Sequence, residues 1–287
     1  MKLLRFGPPG RERPGLLDAQ GRIRDVGALV ADYDFSIQAA DTLLRQLREL
    51  DTDALPLAPT GARIGVPVAG IGKIVCAGMN YADHCREAGQ PIPMEPSFFM
   101  KPASALVGPY DPILLPPGAH KLDWEAELAV VIGRTARNVA EASALDHVAG
   151  YTILNDVSER GWQFEHGTQW VKGKSYDTFA PLGPFLVTRD EVPDPQAVAI
   201  ELDVNGQPAQ RGHTSSMVFG VAALIAYISR FMTLLPGDVV STGTPPGVAM
   251  GQKPPRWLRP GDTLEIRIEG LGTQRQQVVP AHERTVS

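Results

Sequence analysis

The chain has 287 residues, 43% of them hydrophobic and 21% charged, a balance that can bury a sizeable core and excludes wholesale disorder. Lys+Arg 27 against Asp+Glu 32 leaves a net charge of −5, which does not fit a nucleic-acid binder with its usual basic stripe. The only two cysteines, Cys76 and Cys85, exclude a disulfide framework and suit a reducing compartment.

The amino terminus breaks its short apolar run with charge and proline too early for a secretory leader. Apolar runs at 2–6, 15–17 and 23–26, separated by turn signals such as Gln20-Gly21, read as a small antiparallel sheet. Residues 37–50 carry helical spacing, with Ala40, Leu43, Leu44, Leu47 and Leu50 on one face. Residues 51–72 are rich in proline, glycine and small side chains and read as a linker. The expected division is therefore a small N-terminal α/β domain with its linker at 1–70, followed by a main body at 71–287.

The main body opens with an apolar strand at 73–78, a short helical segment at 81–88 and a loop at 89–96. Further strands are expected at 97–100, 126–132, 151–154, 185–188, 198–204, 238–242 and 263–268. Asn205-Gly206 is a strong hairpin signal. With 29 glycines and 26 prolines, the chain favours turns and strands over long helices, so the fold class is α+β and mainly β. The most apolar stretch, 217–235, is interrupted by Gly220, Ser229, Arg230 and Thr233 and reads as a core helix, not a membrane span. The expectation is a soluble, cytoplasmic protein without membrane or nucleic-acid partners.

The sharpest chemical feature is Asp123-Trp124-Glu125-Ala126-Glu127. On a strand, Glu125 and Glu127 project to one face, with Trp124, Ala126 and Leu128 on the other. Two adjacent carboxylates repel unless a cation or hydrogen bonds compensate, and a hard divalent ion does this well. Taken alone, the pattern also describes a solvated acidic strand face. Asp156, at the end of an apolar strand, is placed to supply a third oxygen ligand; its plainer role is an Asx turn.

Six histidines are present, His84, His120, His147, His166, His213 and His282, and none forms a zinc pattern. His84 and Glu87 are i and i+3 on a helical turn, an arrangement in which a carboxylate fixes one imidazole nitrogen and leaves the other as a base. The plainer reading is an exposed helix pair. Cys85, pointing elsewhere on the same turn, is a poor nucleophile candidate. Lys174 after Gly173 suits a carboxylate clamp or an electrophile, or a solvated charge. Thr244 suits an anion contact, or a turn. No Walker loop, dinucleotide fingerprint, serine-hydrolase elbow or zincin motif occurs.

Taken in order, Gly78-Met79-Asn80-Tyr81-Ala82-Asp83-His84, Phe99-Met100-Lys101-Pro102, 123–133, 155–160, 173–181 and Thr242-Gly243-Thr244-Pro245 resemble the fumarylacetoacetate hydrolase family over roughly residues 70–280. The resemblance implies a mixed β-roll catalytic domain, a homodimer, and Mg²⁺ or Mn²⁺ held by Glu125, Glu127 and Asp156, with Ca²⁺ as a substitute in a structure. It further implies a catalytic set of His84, Glu87 and Lys174, and substrate contacts at Tyr81, Arg160, Gln163 and Thr244. The implied reaction is hydrolysis of a carbon–carbon bond in a 2,4-dioxo acid, giving pyruvate and a carboxylic acid. The opening from Arg5 to Asp18 resembles bacterial members that are ureidoglycolate lyases or 2,4-diketo-3-deoxy-sugar-acid hydrolases. Alternatives are therefore ureidoglycolate cleavage, or decarboxylation or hydroxydienoate isomerisation at the same site. From another class comes a non-catalytic β-rich protein with structural Ca²⁺.

Overall fold

The computed structural model describes residues 1–281, so His282 lies outside the described part. The N-terminal segment forms β1 (Lys2–Phe6), β2 (Arg13–Leu17), β3 (Ile23–Asp25) and α1 (Ala40–Arg48). Next come β4 (Ile74–Gly78), α2 (Ala82–Glu87), β5 (Ser97–Lys101), β6 (Leu106–Val107), β7 (Ile113–Leu115), β8 (Leu122–Asp123) and β9 (Ala126–Ile132). They are followed by α3 (Glu141–Ala144), β10 (Val148–Asn155), β11 (Ser158–Glu159), α4 (Arg160–Phe164), α5 (Val171–Lys174) and β12 (Ala180–Thr188). The C-terminal part adds β13 (Ala199–Val204), β14 (Gln207–His213), α6 (Val221–Ile228), β15 (Val239–Ser241), β16 (Thr263–Ile268) and β17 (Gly272–Pro280).

A ten-stranded mixed sheet runs β3-β2-β1-β12-β10-β9-β15-β4-β5, with β6 added in parallel to β12. A second sheet of five strands runs β14-β13-β16-β17-β7, and β8 and β11 pair on their own. Every residue of β9 and β10 is buried, which is why their sequences lack the alternation of a half-exposed strand. β13 and β16 do alternate: Ile200, Leu202 and Val204, with Leu264, Ile266 and Ile268, face inward. The β13–β14 hairpin turns on Asn205 and Gly206, both at positive φ, as the tight primed turn requires.

The N-terminal strands pair with one another as expected, but they are not a separate sheet. Leu3 pairs with Leu186 of β12, so β1 extends the main sheet, and Leu3, Leu16, Leu43 and Leu47 join one apolar cluster with Ile74 and Val130. Three short strands and one helix enclose too little apolar surface alone, and docking on β12 also covers an open sheet edge. The segment read as a linker is tied back through bridges at Phe6–Ile64, Arg24–Leu57 and Asp34–Ala69. Helix α1 is shorter than the 37–50 expected. It buries Ala40, Leu43, Leu44 and Leu47, with Asp41 in its first turn and Arg45 and Arg48 in its last, while Ile37 stays outside and exposed.

The apolar stretch 217–235 is helical only over α6, which buries Val221, Leu224, Ile225 and Ile228 and packs against α3. No helix among the described residues is long and apolar enough to cross a membrane.

Candidate active site

The register of β9 against β10 builds the acidic centre. Leu154 lies opposite Glu127 and Asn155 opposite Ala126; one step on, the Asp156 N–H donates to the Glu125 carbonyl at 2.9 Å. The Glu125 N–H in turn donates to Asn155 Oδ1 at 3.2 Å. Glu125 and Glu127 thus share a face, as i and i+2 positions do, and Asp156 joins them from the neighbouring strand. All three are buried, with ligand oxygens within 4.8 Å of one another. Trp124 points the other way into the core, its Nε1 donating to the Gly247 carbonyl.

Three buried cations surround these acids. Lys174 Nζ lies 2.5 Å from Glu125 Oε2 and 2.8 Å from Asp156 Oδ2. Arg160 donates Nη2 to Glu125, Nε to Asp123 and Nη1 to Gln163 Oε1. Lys101 donates to the carbonyls of Val157, Lys174 and Phe179, which uses its three protons. Its nitrogen is also 2.8 Å from Asp156 Oδ1, yet that oxygen receives no hydrogen bond from it or from any other described group.

The two glutamates differ sharply. Burial raises the pKa of both, but at Glu125 the charges of Arg160 and Lys174 outweigh it and hold the carboxyl well below the usual range. At Glu127, burial acts together with the negative charges of Asp156 and Glu125 and pushes the pKa well up, despite hydrogen bonds from Ser241 Oγ and the Gly243 N–H. The unpartnered Asp156 oxygen and the crowded Glu127 carboxyl both call for more positive charge. The three hard oxygen donors fit a divalent ion of the Mg²⁺ or Mn²⁺ type.

Helix α2 carries the second constellation. His84 Nδ1 lies 2.9 Å from Glu87 Oε2, and Glu87 Oε1 accepts the Gly247 N–H at 2.9 Å. The carboxylate makes Nδ1 the protonated nitrogen and leaves Nε2 basic. Gly247 is at φ +107°, and a Cβ there would sit 2.0 Å from the Ala209 carbonyl oxygen, so only glycine fits this anchor. His84, Lys174, Arg160, Gln163, Thr244 and the three acids all line one cleft of about 590 Å³.

Two expected substrate contacts sit differently. Tyr81 is fully buried at the start of α2, with its hydroxyl unpaired, and is not among the cleft-lining side chains. Thr244 does line the cleft, but its hydroxyl donates to the Ala126 carbonyl and accepts from Gln210, so it offers an incoming carboxylate no proton. Lys101, Asp123 and Asn155 hold the site together but carried no assigned role in the sequence. Lys101 falls within a family-like segment, yet its partners come from elements far apart in the chain.

The cysteines are inert as nucleophiles. Cys76, on β4 behind the acids, is fully buried, and burial with the charges of Asp156 and Glu127 pushes its thiol up. Cys85 is also buried, with its sulfur on the Met79 carbonyl.

Residues 73–279 match the fumarylacetoacetate (FAA) hydrolase C-terminal family model. A Burkholderia multivorans protein named "Putative hydrolase" is 56% identical over 277 residues, covering 96% of this chain and 98% of that protein. A solved fumarylacetoacetate hydrolase from Exiguobacterium antarcticum is 39% identical with a TM-score of 0.84, covering 98% of this chain and all of that one. Maleylpyruvate hydrolase from Sphingobium sp. SYK-6, solved with manganese(II) and pyruvate, is 33% identical with a TM-score of 0.82 over 98% of this chain and all of that one. Other solved matches are named as hydroxymuconate and hydroxyheptadienedioate isomerases. The chain belongs to the fumarylacetoacetate hydrolase family.

Proposed function

We propose that this member of the family is a divalent-metal-dependent hydrolase that cleaves the carbon–carbon bond between C3 and C4 of a 2,4-dioxo acid, releasing pyruvate and a carboxylic acid. The observation that carries the reading is that one cleft is lined by the three acids, by Lys174 and by His84, whose Nδ1 is held from behind by Glu87. The manganese and pyruvate bound in the Sphingobium relative support it.

Glu125, Glu127 and Asp156 would hold the ion, which supplies Lewis-acid polarisation of substrate oxygens. His84, oriented by Glu87, takes a proton from water as its oxygen attacks C4, a general-base role worth roughly 10²–10⁴-fold. The Lys174 ammonium donates to the oxygen on which charge develops; losing one such donor typically costs about 10²–10³ in turnover. The C3–C4 bond then breaks with its electron pair on C3, and protonation there gives pyruvate while C4 leaves as the carboxylic acid. Arg160 and Gln163 keep Glu125 in place throughout.

The isomerases among the solved matches favour a second reading, hydroxydienoate isomerisation, which moves a proton but needs no attacking water. A pyruvate assay across 2,4-dioxo acids, with Mg²⁺, Mn²⁺ and EDTA arms, decides between them. Pyruvate released with either metal and abolished by EDTA is the expected outcome. Isomerised hydroxydienoate without pyruvate from any dioxo acid would favour the second reading.

A further inference from the structure

A row of aromatic rings leads away from the acids. Lys174 Nζ lies 4.8 Å from the centroid of the Phe99 ring. Phe99 meets Trp170 edge-on at 5.7 Å between centroids, and Trp170 meets Phe164 at 5.9 Å. Trp170 is seated on the bare backbone of Gly78, where a Cβ would come within 2.7 Å of the indole. These residues form one wall of the cleft.

The charges lie at the other end and are already engaged. Arg160 is spent on Asp123, Glu125 and Gln163, Lys174 is shared by Glu125 and Asp156, and His84 is held by Glu87. Among the described lining residues, the outer cleft adds Pro91, Pro93 and Met250, with Gln90 and Ser97 as uncharged polar groups, and no further cation. A carboxylate carried at the far end of a substrate would lose water there without gaining a partner, a strongly unfavourable exchange. An uncharged ring would instead gain offset and edge contacts with Phe99 and Trp170.

We propose that the outer cleft selects substrates whose group beyond C4 is uncharged and apolar, best of all an aryl group, and rejects those ending in a second carboxylate. The inference deepens the hydrolase reading and rests on it for the position of the 2-oxo acid end.

The test is equilibrium binding of 2-oxo-4-phenylbutanoate and 2-oxoadipate to the full chain in Mg²⁺, by calorimetry. Neither compound has a 4-oxo group to cleave, so recognition is read without turnover. The phenyl compound is expected to bind about tenfold tighter or more. Trp170→Ala should erase most of that difference, Trp170→Phe should restore it, and both variants should bind pyruvate as the unchanged protein does. Equal or tighter binding of 2-oxoadipate, or no binding of the phenyl compound, overturns the proposal. A preserved preference without pyruvate release from any dioxo acid leaves the selectivity standing for 2-oxo acids at large and removes the hydrolase reading.

Discussion

Glu127 occupies the least favourable electrostatic position among the acids, because Glu125 and Asp156 both bear on it while Arg160 and Lys174 directly pair only with its neighbours. Burial and those two charges push its carboxyl pKa well up. Glu127→Gln, a neutral isostere, should therefore cost little stability in EDTA but lose the rise in melting temperature expected of the unchanged protein in Mg²⁺ or Mn²⁺. That rise corresponds to about 2.7 kcal/mol at a hundredfold excess over Kd. His84→Ala should do the reverse: the metal-induced rise and the circular dichroism persist, while kcat falls roughly 10²–10⁴-fold. A His84→Ala variant with undiminished pyruvate release would remove the base from its assigned role.

At the scale of elements, the outer face of the second sheet is a ladder of charges. Asp203, Glu265 and Arg275 lie side by side across β13, β16 and β17, and Arg267 reaches Glu201, Asp203 and Glu265. The hydrogen bond from Arg275, opposed by partial burial and helped by Arg267, depresses the Glu265 pKa. At Asp203, burial is outweighed by Arg267 and Arg211. With folded pKa values depressed, these groups add stability that is complete above their unfolded values of about 3.9 and 4.3 and fades as pH falls through the folded ones. Lying at the surface with side chains half-buried or exposed, each pair is worth about 0.2–1 kcal/mol. Arg275→Ala should lower urea stability by that order at pH 7, and the difference should shrink in 1 M salt and vanish at strongly acid pH. A difference that persisted in acid would show that the arginine acts through packing alone.

The same sheet shows what the sequence conceals. The bounds of β9 and β16 were legible because an apolar run or clean alternation defines them. β14 and β17 were not, since their inward positions are filled by Gln210, Gln274 and Gln276, all buried, where a pattern search looks for aliphatic side chains. Likewise the spacing of Glu125 and Glu127 and the strand end at Asp156 announce the acidic centre, whereas the role of Lys101 depends on carbonyls of Val157, Lys174 and Phe179 that only folding assembles. The pairing of β1 with β12 leaves no local trace at all.

Across the whole molecule, those glutamines fasten the second sheet to the strands bearing the acids. Gln210 accepts the Ala126 N–H and donates to Thr244 and Pro245. Gln274 donates to the carbonyls of Ile153, Pro181 and Gly183. Gln276 donates to Pro109 and Gln274 and faces the amide of Asn155, whose oxygen holds the Glu125 N–H. A buried amide network of this kind stabilises when complete and is costly when broken. Gln276→Leu should destabilise the protein by about 1–3 kcal/mol for each polar group it strands, read as a lower denaturation midpoint. The stability of Gln276→Leu matching that of the unchanged chain would mean that the sheets are held by apolar packing alone.

The two hidden sulfurs lie at different places in this architecture, one on the strand next to the edge of the large sheet and one on the short helix that carries His84. A thiol reagent in solution reaches either only when its shelter opens. Timed alkylation followed by peptide mass mapping would thus act as a pair of internal clocks: modification at Cys85 should track local fraying of the helix, and modification at Cys76 the far rarer opening of the whole chain.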